Sequence, residues 1–548
     1  MRSSNNALTK RLLSLALATV FCISLLASPS ASVSAASSSS SYREPDVQVG
    51  IYVSAPLLDT RVFSSLNTSS GGFEIGYLNG ESFVKLFSLS NRSVILLPQV
   101  NASYNSGNKS CSLSDNGAIG AYSAVLGKHS TYTAAYNAAK AFGGFVAVVK
   151  GGYEARAYNA TSYAKASSLS GGRTVASPAS GGITVVDASN GKILFTYEDT
   201  SRKLTLRGAG GNTVSFPVKH RSGAVNTFDY QGKFEYSVSD GKLWMVNHLG
   251  LEDYTKCVMA NEIGTNVSVE TRKAFAVLAR TVPMKGKHNK LGYDVCCNSA
   301  CCQVYYGTHR MSAENNAIVD STRGLICTYK GVPIDVLYHN SNGGASCSSV
   351  AAWGGNEVPY LTTVFQEETE DSDKWQKIYT KKEFFDYLRS RNTFSGLRDE
   401  EISMKILEKD PYGSDYITVL SVSDGSGNTV SVETSEDIRS ACGFKSANFT
   451  LEYSTEIEVL TSDGKVEKRE ITGVLTADGY KPFEGFDEKY VLSTGETVSP
   501  EKVTVNGQGI GHGVGFSATG SEKLARDGYS YKYILGCFFN GTDLTYPK

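Results

Sequence analysis

Between Gly507 and Gly515, five of nine residues are glycine and one is histidine. Glycine tolerates positive φ and lets another backbone or a ligand approach closely. A strand interior would be weakened by so many. The run is therefore a shaped loop whose titratable side chain is His512. A second chemical feature is Ala260-Asn261-Glu262-Ile263, which sets a carboxylate in the break between two helical patterns. The third is Cys296-Cys297-Asn298-Ser299-Ala300-Cys301-Cys302. In an exported chain such cysteines read first as disulfides, and close pairs in one short loop also suit a soft metal ion. Of 11 cysteines, Cys22 falls in the N-terminal apolar run. Cys111, Cys257, Cys327, Cys347, Cys442 and Cys537 remain as other pairing partners.

These residues need elements to hold them. Apolar spacing predicts a helix over 251–260, with Tyr254, Val258 and Met259 on it, and a second over 269–281 with Ser268 as N-cap. Val332 to Leu337 reads as a strand entering Tyr338-His339-Asn340-Ser341-Asn342-Gly343-Gly344. Residues 46–100 and 181–247 are β-rich, with short apolar runs and glycine or asparagine turns. Residues 132–168 change character, to a helix, two strands joined at Gly151-Gly152, and a second helix. A helix is expected over 381–390, a hairpin from 416–420 and 429–432, and a short helix over 435–440. A closing helix is expected from Ser521 through Ala525 and Tyr531 to Leu535.

The N-terminus carries Arg2, Lys10 and Arg11 before an uncharged apolar run, then Val33-Ser34-Ala35-Ala36. That is the pattern of an export signal with a small-residue cleavage site. The run is short for a bilayer span, so membrane attachment is expected only through an uncleaved anchor. Ser37 to Ser41 is a flexible linker. A net charge of −1 over 548 residues supplies no field for nucleic acid or an anionic membrane. The length suits several domains, and the expected fold is α+β, multidomain and β-rich, with a helical segment around Glu262.

From about residue 183 to 544 the chain resembles the stage II sporulation protein D / amidase-enhancer family of exported cell-wall proteins. The resemblance rests on ordered blocks: Leu251-Glu252-Asp253-Tyr254 with Asn261-Glu262, Ala276-Val277-Leu278-Ala279-Arg280, Tyr293-Asp294-Val295-Cys296 with Cys302-Gln303-Val304-Tyr305, and Ser321-Thr322-Arg323-Gly324-Leu325. Tyr338 with Gly343-Gly344, Trp353-Gly354, Pro359-Tyr360-Leu361 and the Gly507 block complete it. Residues 132–168 resemble the sporulation-related repeat, whose known members bind peptidoglycan glycan strands.

The resemblance implies a lytic transglycosylase that cuts between N-acetylmuramic acid and N-acetylglucosamine and leaves a 1,6-anhydro end. The family acid/base falls on Glu262, and a functional helix arginine falls on Arg280. The chemistry is consistent. The leaving oxygen needs a proton donor. A hydrolase would add a second carboxylate, whereas here the sugar's own C6 hydroxyl is the nucleophile. Arg280 never gives up its proton and suits a substrate carboxylate or the orientation of a loop. Tyr338, His339, Gly343, Gly344, Gly511 and His512 are expected on two loops that converge on a saccharide groove. Some relatives bind zinc through Cys-x4-His-Cys. Here the outer cysteines are Cys296 and Cys302, Cys301 stands at the histidine, and His288 is the candidate fourth ligand. Zinc and disulfides both stand. The glycine block continues Ser517-Ala518-Thr519, where the family usually has glutamine in place of Ala518.

The expected organisation is a signal peptide (1–36), a linker (37–45), a small β-rich domain (46–120), a glycan-binding repeat-like module (121–172) and a catalytic domain (183–548) with an inserted segment at about 365–500. The expected partners are peptidoglycan glycan strands, and the expected location is outside the cell, at the wall. The alternative is a non-enzymatic activator of a cell-wall amidase.

Overall fold

The computed structural model describes residues 42–55, 58–219, 223–366, 373–476 and 479–547. The export signal, Cys22 and the serine linker lie outside these residues. The fold is α+β, multidomain and rich in strands. Among the described residues no helix is long and apolar enough to cross a membrane. The chain divides into two compact units.

The first unit holds residues 36–337, 521–531 and 543–548. Its centre is two stacked sheets. One runs in the order Val295–Cys296, Asp46–Tyr52, Lys242–Gly250, Lys233–Ser239, Leu204–Gly208, Phe73–Asn79, Ser82–Leu89. The other runs Val175–Ala176, Tyr122–His129, Gly152–Ala160, Phe145–Val149, Ile193–Tyr197, Ile183–Asp187, Ser93–Pro98, Ser65–Thr68, Val214–Lys219, Val225–Tyr230. Alternating apolar residues from both sheets fill the space between them. Phe216 stacks on Tyr230 at 4.3 Å and meets Phe234 edge-on at 5.3 Å. The buried Tyr52 hydroxyl donates to the Pro217 carbonyl at 2.6 Å, so its polar end is satisfied inside the core.

This topology redraws the expected boundaries. The strand Ile183–Asp187, expected to open the catalytic domain, pairs with Ser93–Pro98 of the expected small β-rich domain. Asp46–Tyr52 pairs with Lys242–Gly250 on one side and Val295–Cys296 on the other. The module of residues 122–176 has the expected helix–strand–strand–helix order, flanked by two further strands. It is not separate, because Phe145–Val149 pairs in parallel with Ile193–Tyr197 and continues the larger sheet. Arg156 fastens that seam. It is buried between Glu154 and Glu198, at 2.7 and 2.8 Å.

The strand Lys242–Gly250 runs directly into the helix Leu251–Glu262. Its N-cap is Gly250, which has no side chain to cap with. Glu44, the third described residue, supplies the cap: its Oε1 accepts from the Glu252 N–H at 3.0 Å. The next helix, Val269–Lys285, begins after Ser268. Ser268 does not cap it through its own side chain, as expected from sequence. Its N–H and hydroxyl both donate to Glu522 instead, at 2.8 and 2.7 Å.

The second unit holds residues 338–520 and 532–542. A four-stranded sheet runs Lys374–Thr380, Lys502–Gln508, Phe449–Leu460, Val466–Ile471. The segment expected as an insertion at about 365–500 is integral to it, since its strands flank Lys502–Gln508 on both sides. Trp375 covers Gly507 so closely that a Cβ there would come within 2.1 Å of the indole. The strand expected over 332–337 is only Val332–Pro333. The closing helix is broken into Ala518–Arg526 and Tyr531–Phe538, with Gly528 in a left-handed turn between them.

Candidate functional site

Glu262 is the last residue of the helix Leu251–Glu262, with Ile263 as its C-cap, rather than a residue of the inter-helix break. It is half-buried. A carboxylate there faces the negative end of the helix dipole, and a backbone donor offsets this: the Val304 N–H donates to Glu262 Oε1 at 2.6 Å. The neighbouring Asn261 Nδ2 donates to the His309 carbonyl at 3.1 Å. Tyr254, on the same helix, donates to Gln303 Oε1 at 2.9 Å. The helix end is thus tied at several points to the loop that follows the cysteines.

Arg280 does not meet Glu262 among these contacts. It is completely buried and pairs with Glu252, through Nε to Oε1 at 3.0 Å and a second nitrogen to Oε2 at 2.8 Å. Its other donors reach the Leu325 and Val319 carbonyls at 3.0 and 3.2 Å. The reading of Arg280 as a contact for a substrate carboxylate is therefore corrected. A guanidinium with no exposed surface, held by a carboxylate and two carbonyls, positions the helices that carry Glu262. Glu252 also accepts from the Gly324 N–H at 2.9 Å and from Tyr42 at 3.3 Å. Glu252 lies in one of the sequence blocks, but nothing in its spacing marked it as the partner of Arg280.

The cysteine loop hangs from the sheet edge, where Gly50 pairs with Cys296. His288, Cys296, Cys301 and Cys302 bring one ligand atom each to within 4.8 Å of one another. The Cys296 and Cys302 sulfurs lie 3.7 Å apart, and His288 Nε2 lies 3.3 Å from both Cys301 Sγ and Cys302 Sγ. Tetrahedral zinc with Zn–S near ~2.3 Å would place two thiolates about 3.8 Å apart. A disulfide needs about 2.05 Å. Four donors at these distances could hold one metal ion, and the ten described cysteines are free. Hydrogen bonding with the Cys302 thiol draws the Cys296 thiol below the usual range, which favours its thiolate. Cys297 points away, towards the Ile51 carbonyl, and burial pushes it up to about 12. Tyr293, Val53 and Val246 wall the group on its apolar side.

In the second unit the two glycine-bearing loops do converge. Ser341 and Ile510 exchange backbone hydrogen bonds at 3.2 and 2.9 Å. Tyr338 and His339 pair with Phe516 and Ser517. Gly343 has a φ of 67°, and a Cβ there would lie 2.8 Å from the Gly509 nitrogen. A Cβ on Gly511 would lie 2.9 Å from that of His339. The glycines are needed because the loops touch. Gly344, at a φ of 103°, completes the turn.

The histidines serve this junction. His512 Nδ1 accepts from the Val514 N–H at 3.0 Å, which leaves Nε2 to donate to the Tyr338 carbonyl at 3.1 Å. Both ring nitrogens are thus committed to backbone. His339 Nδ1 donates to the Val514 carbonyl at 3.1 Å, and burial followed by the nearby His512 lowers its pKa to about 3. The aromatic surface here comes from Trp353, 44% exposed, with its ring 5.4 Å from that of His512. Sequence had singled out the Trp353-Gly354 block without giving it a role.

Comparison with known proteins adds a family. The stage II sporulation protein (SpoIID) family model matches residues 239–329. The amidase enhancer of Bacillus subtilis (strain 168) is 28% identical over 310 residues, which cover 53% of this chain and 40% of that protein. The chain thus spans well under half of that relative's length. Stage II sporulation protein D of the same organism is 23% identical over 319 residues, covering 55% of this chain and 76% of that protein. An uncharacterised protein of Brachyspira hyodysenteriae is 26% identical over 333 residues, covering 58% and 73%. The matched stretch contains the Glu262 helix, the buried Arg280–Glu252 pair and the whole cysteine loop, and over it the chain is similar to the stage II sporulation protein D family.

Proposed function

We propose that this chain is an exported lytic transglycosylase of peptidoglycan, with Glu262 as its acid/base. It is a cell-wall-related protein of the sporulation family. The observation that carries the enzymatic reading is the placing of Glu262: a half-buried carboxyl at a helix end, with one oxygen fixed by the Val304 N–H at 2.6 Å.

The reaction balances on that single group. Protonated Glu262 gives its proton to the glycosidic oxygen as the bond from the muramic C1 breaks. The muramic C6 hydroxyl attacks C1 and closes the 1,6-anhydro ring. Glu262 then takes the hydroxyl proton and is ready for the next cycle. Arg280 and Glu252 keep the helix in register and take no part in the proton transfer. His288, Cys296, Cys301 and Cys302 would hold a zinc ion, and a site of four protein ligands is a structural one. It would brace the segment that carries Val304. The module of residues 122–176 is proposed to hold glycan strands. The likeness to the amidase enhancer supports keeping the other reading, a non-enzymatic activator of a cell-wall amidase.

The test is purified peptidoglycan, with and without stem peptides, followed by mass spectrometry. Anhydro-muramic ends are expected from the unsubstituted chain. Glu262→Gln should keep glycan binding and lose about a hundred- to ten-thousand-fold in rate. Reducing ends would mean hydrolysis and a second carboxylate. No cleavage by either chain, with binding preserved, would leave the amidase-activator reading.

A further inference from the structure

The loop that fixes Glu262 also builds a surface beside it. Tyr306 lies two residues beyond Val304 and stacks on Phe228, with ring centroids 4.8 Å apart and planes 14° from parallel. His309 packs against the same Phe228 ring at 5.0 Å. Phe228 comes from Val225–Tyr230, the outermost strand of the larger sheet. The loop is pinned to that strand. Thr308 donates from its N–H and its hydroxyl to the Asp229 carbonyl, at 2.8 and 3.1 Å. Gly307 has a φ of 57°, and a Cβ there would meet the same carbonyl at 2.1 Å. Only glycine lets the loop lie this close.

Phe228 and Tyr306 are half-buried, and Asn226, Thr227, His309 and Arg310 around them are exposed. Glu262 is near enough to act on Tyr306: burial first, then Cys297 and Glu262, push its phenol up. Asn261 ties the Glu262 helix to His309. Partly exposed aromatic rings bordered by polar groups suit a ligand that is apolar on its faces and polar at its edges. A pyranose ring has that character, with C–H groups on its faces and hydroxyls around its rim.

We propose that Phe228 and Tyr306, edged by His309, form a platform on which one sugar ring of a glycan strand stacks next to Glu262. The assignment rests on the glycan-strand reading above. It adds a subsite built partly by the outer β-strand, which lies upstream of the matched family stretch at 239–329.

Hydroxyl-radical footprinting of the whole unsubstituted chain, with a GlcNAc–MurNAc tetrasaccharide as probe, reads the platform directly. Oxidation of Phe228 and Tyr306 should fall several-fold on binding. Titration in a Glu262→Gln background keeps cleavage out of the measurement. There Phe228→Leu, apolar but not aromatic, should weaken binding about tenfold. Phe228→Trp should bind like the parent. Protection elsewhere with Phe228 and Tyr306 unchanged would overturn the platform and leave the glycan reading in place. Equal affinity for the Leu and Trp variants would also overturn it. Absence of any protection at millimolar probe would remove both.

Discussion

Arg280 shows how a residue marked for chemistry can be spent on architecture. Its guanidinium and the Glu252 carboxylate are both buried, at 0% and 2% side-chain exposure. Removing one charge strands the other. Arg280→Met should cost about 3–5 kcal/mol in chemical denaturation. Arg280→Met with Glu252→Leu should recover much of that loss, because no lone charge remains. Arg280→Lys should fall between, since it cannot make the paired contact. His339 gives a prediction with a sign. In the unfolded chain its imidazole takes a proton below about 6.5. In the folded chain burial holds its pKa at about 3. Between those values the unfolded state binds more protons, so stability is lost as pH falls through the window. His339→Gln, which does not titrate, should flatten part of that loss when denaturation midpoints at pH 7 and pH 5 are compared.

Among the elements, the Leu251–Glu262 helix depends on contacts distant in sequence at both ends. Its start is capped by Glu44, which also pairs with Arg323. Glu44→Ala should destabilise the chain by about 1 kcal/mol, the ordinary cost of a lost cap. Its far end is tied to the loop after the cysteines. Chain purified without chelator is expected to carry one zinc, read by metal analysis. Chelation or Cys301→Ala should lower the melting temperature and the rate of glycan cleavage together, because the Val304 contact to Glu262 loosens with the loop. Little zinc together with no titratable thiols would mean disulfides instead.

For the molecule as a whole, the module of residues 122–176 is expected to fail as a separate piece. Its strand Phe145–Val149 is Phe-Val-Ala-Val-Val and buried along nearly all its length. Cutting it from Ile193–Tyr197 exposes a long apolar edge, which templates pairing with other chains. The cut also leaves Arg156 without Glu198. A 121–176 fragment should therefore elute as aggregate in size-exclusion chromatography. A fragment that elutes as a folded monomer would show that the seam is dispensable.

The sequence by itself determined what local forces can decide. Helical spacing placed the helices around Glu262 and Arg280 to within a few residues, and the dense glycines announced a tight loop. Both are legible because periodicity and φ preference act over a few residues. Cys296, Cys301, Cys302 and His288 came as a set from the family resemblance, and the fold brings their ligand atoms within 4.8 Å of one another. The partners of those residues were not legible. Glu252 meets Arg280 across 28 positions, Glu44 reaches Glu252 across 208, and Glu522 reaches Ser268 across 254. Which strand lies beside which was equally hidden. Residues 46–52 pair with 242–250, and the module joins the larger sheet, although composition drew boundaries between them. Burial and hydrogen-bond satisfaction are settled only when distant segments meet, and no window of sequence contains both sides of those contacts.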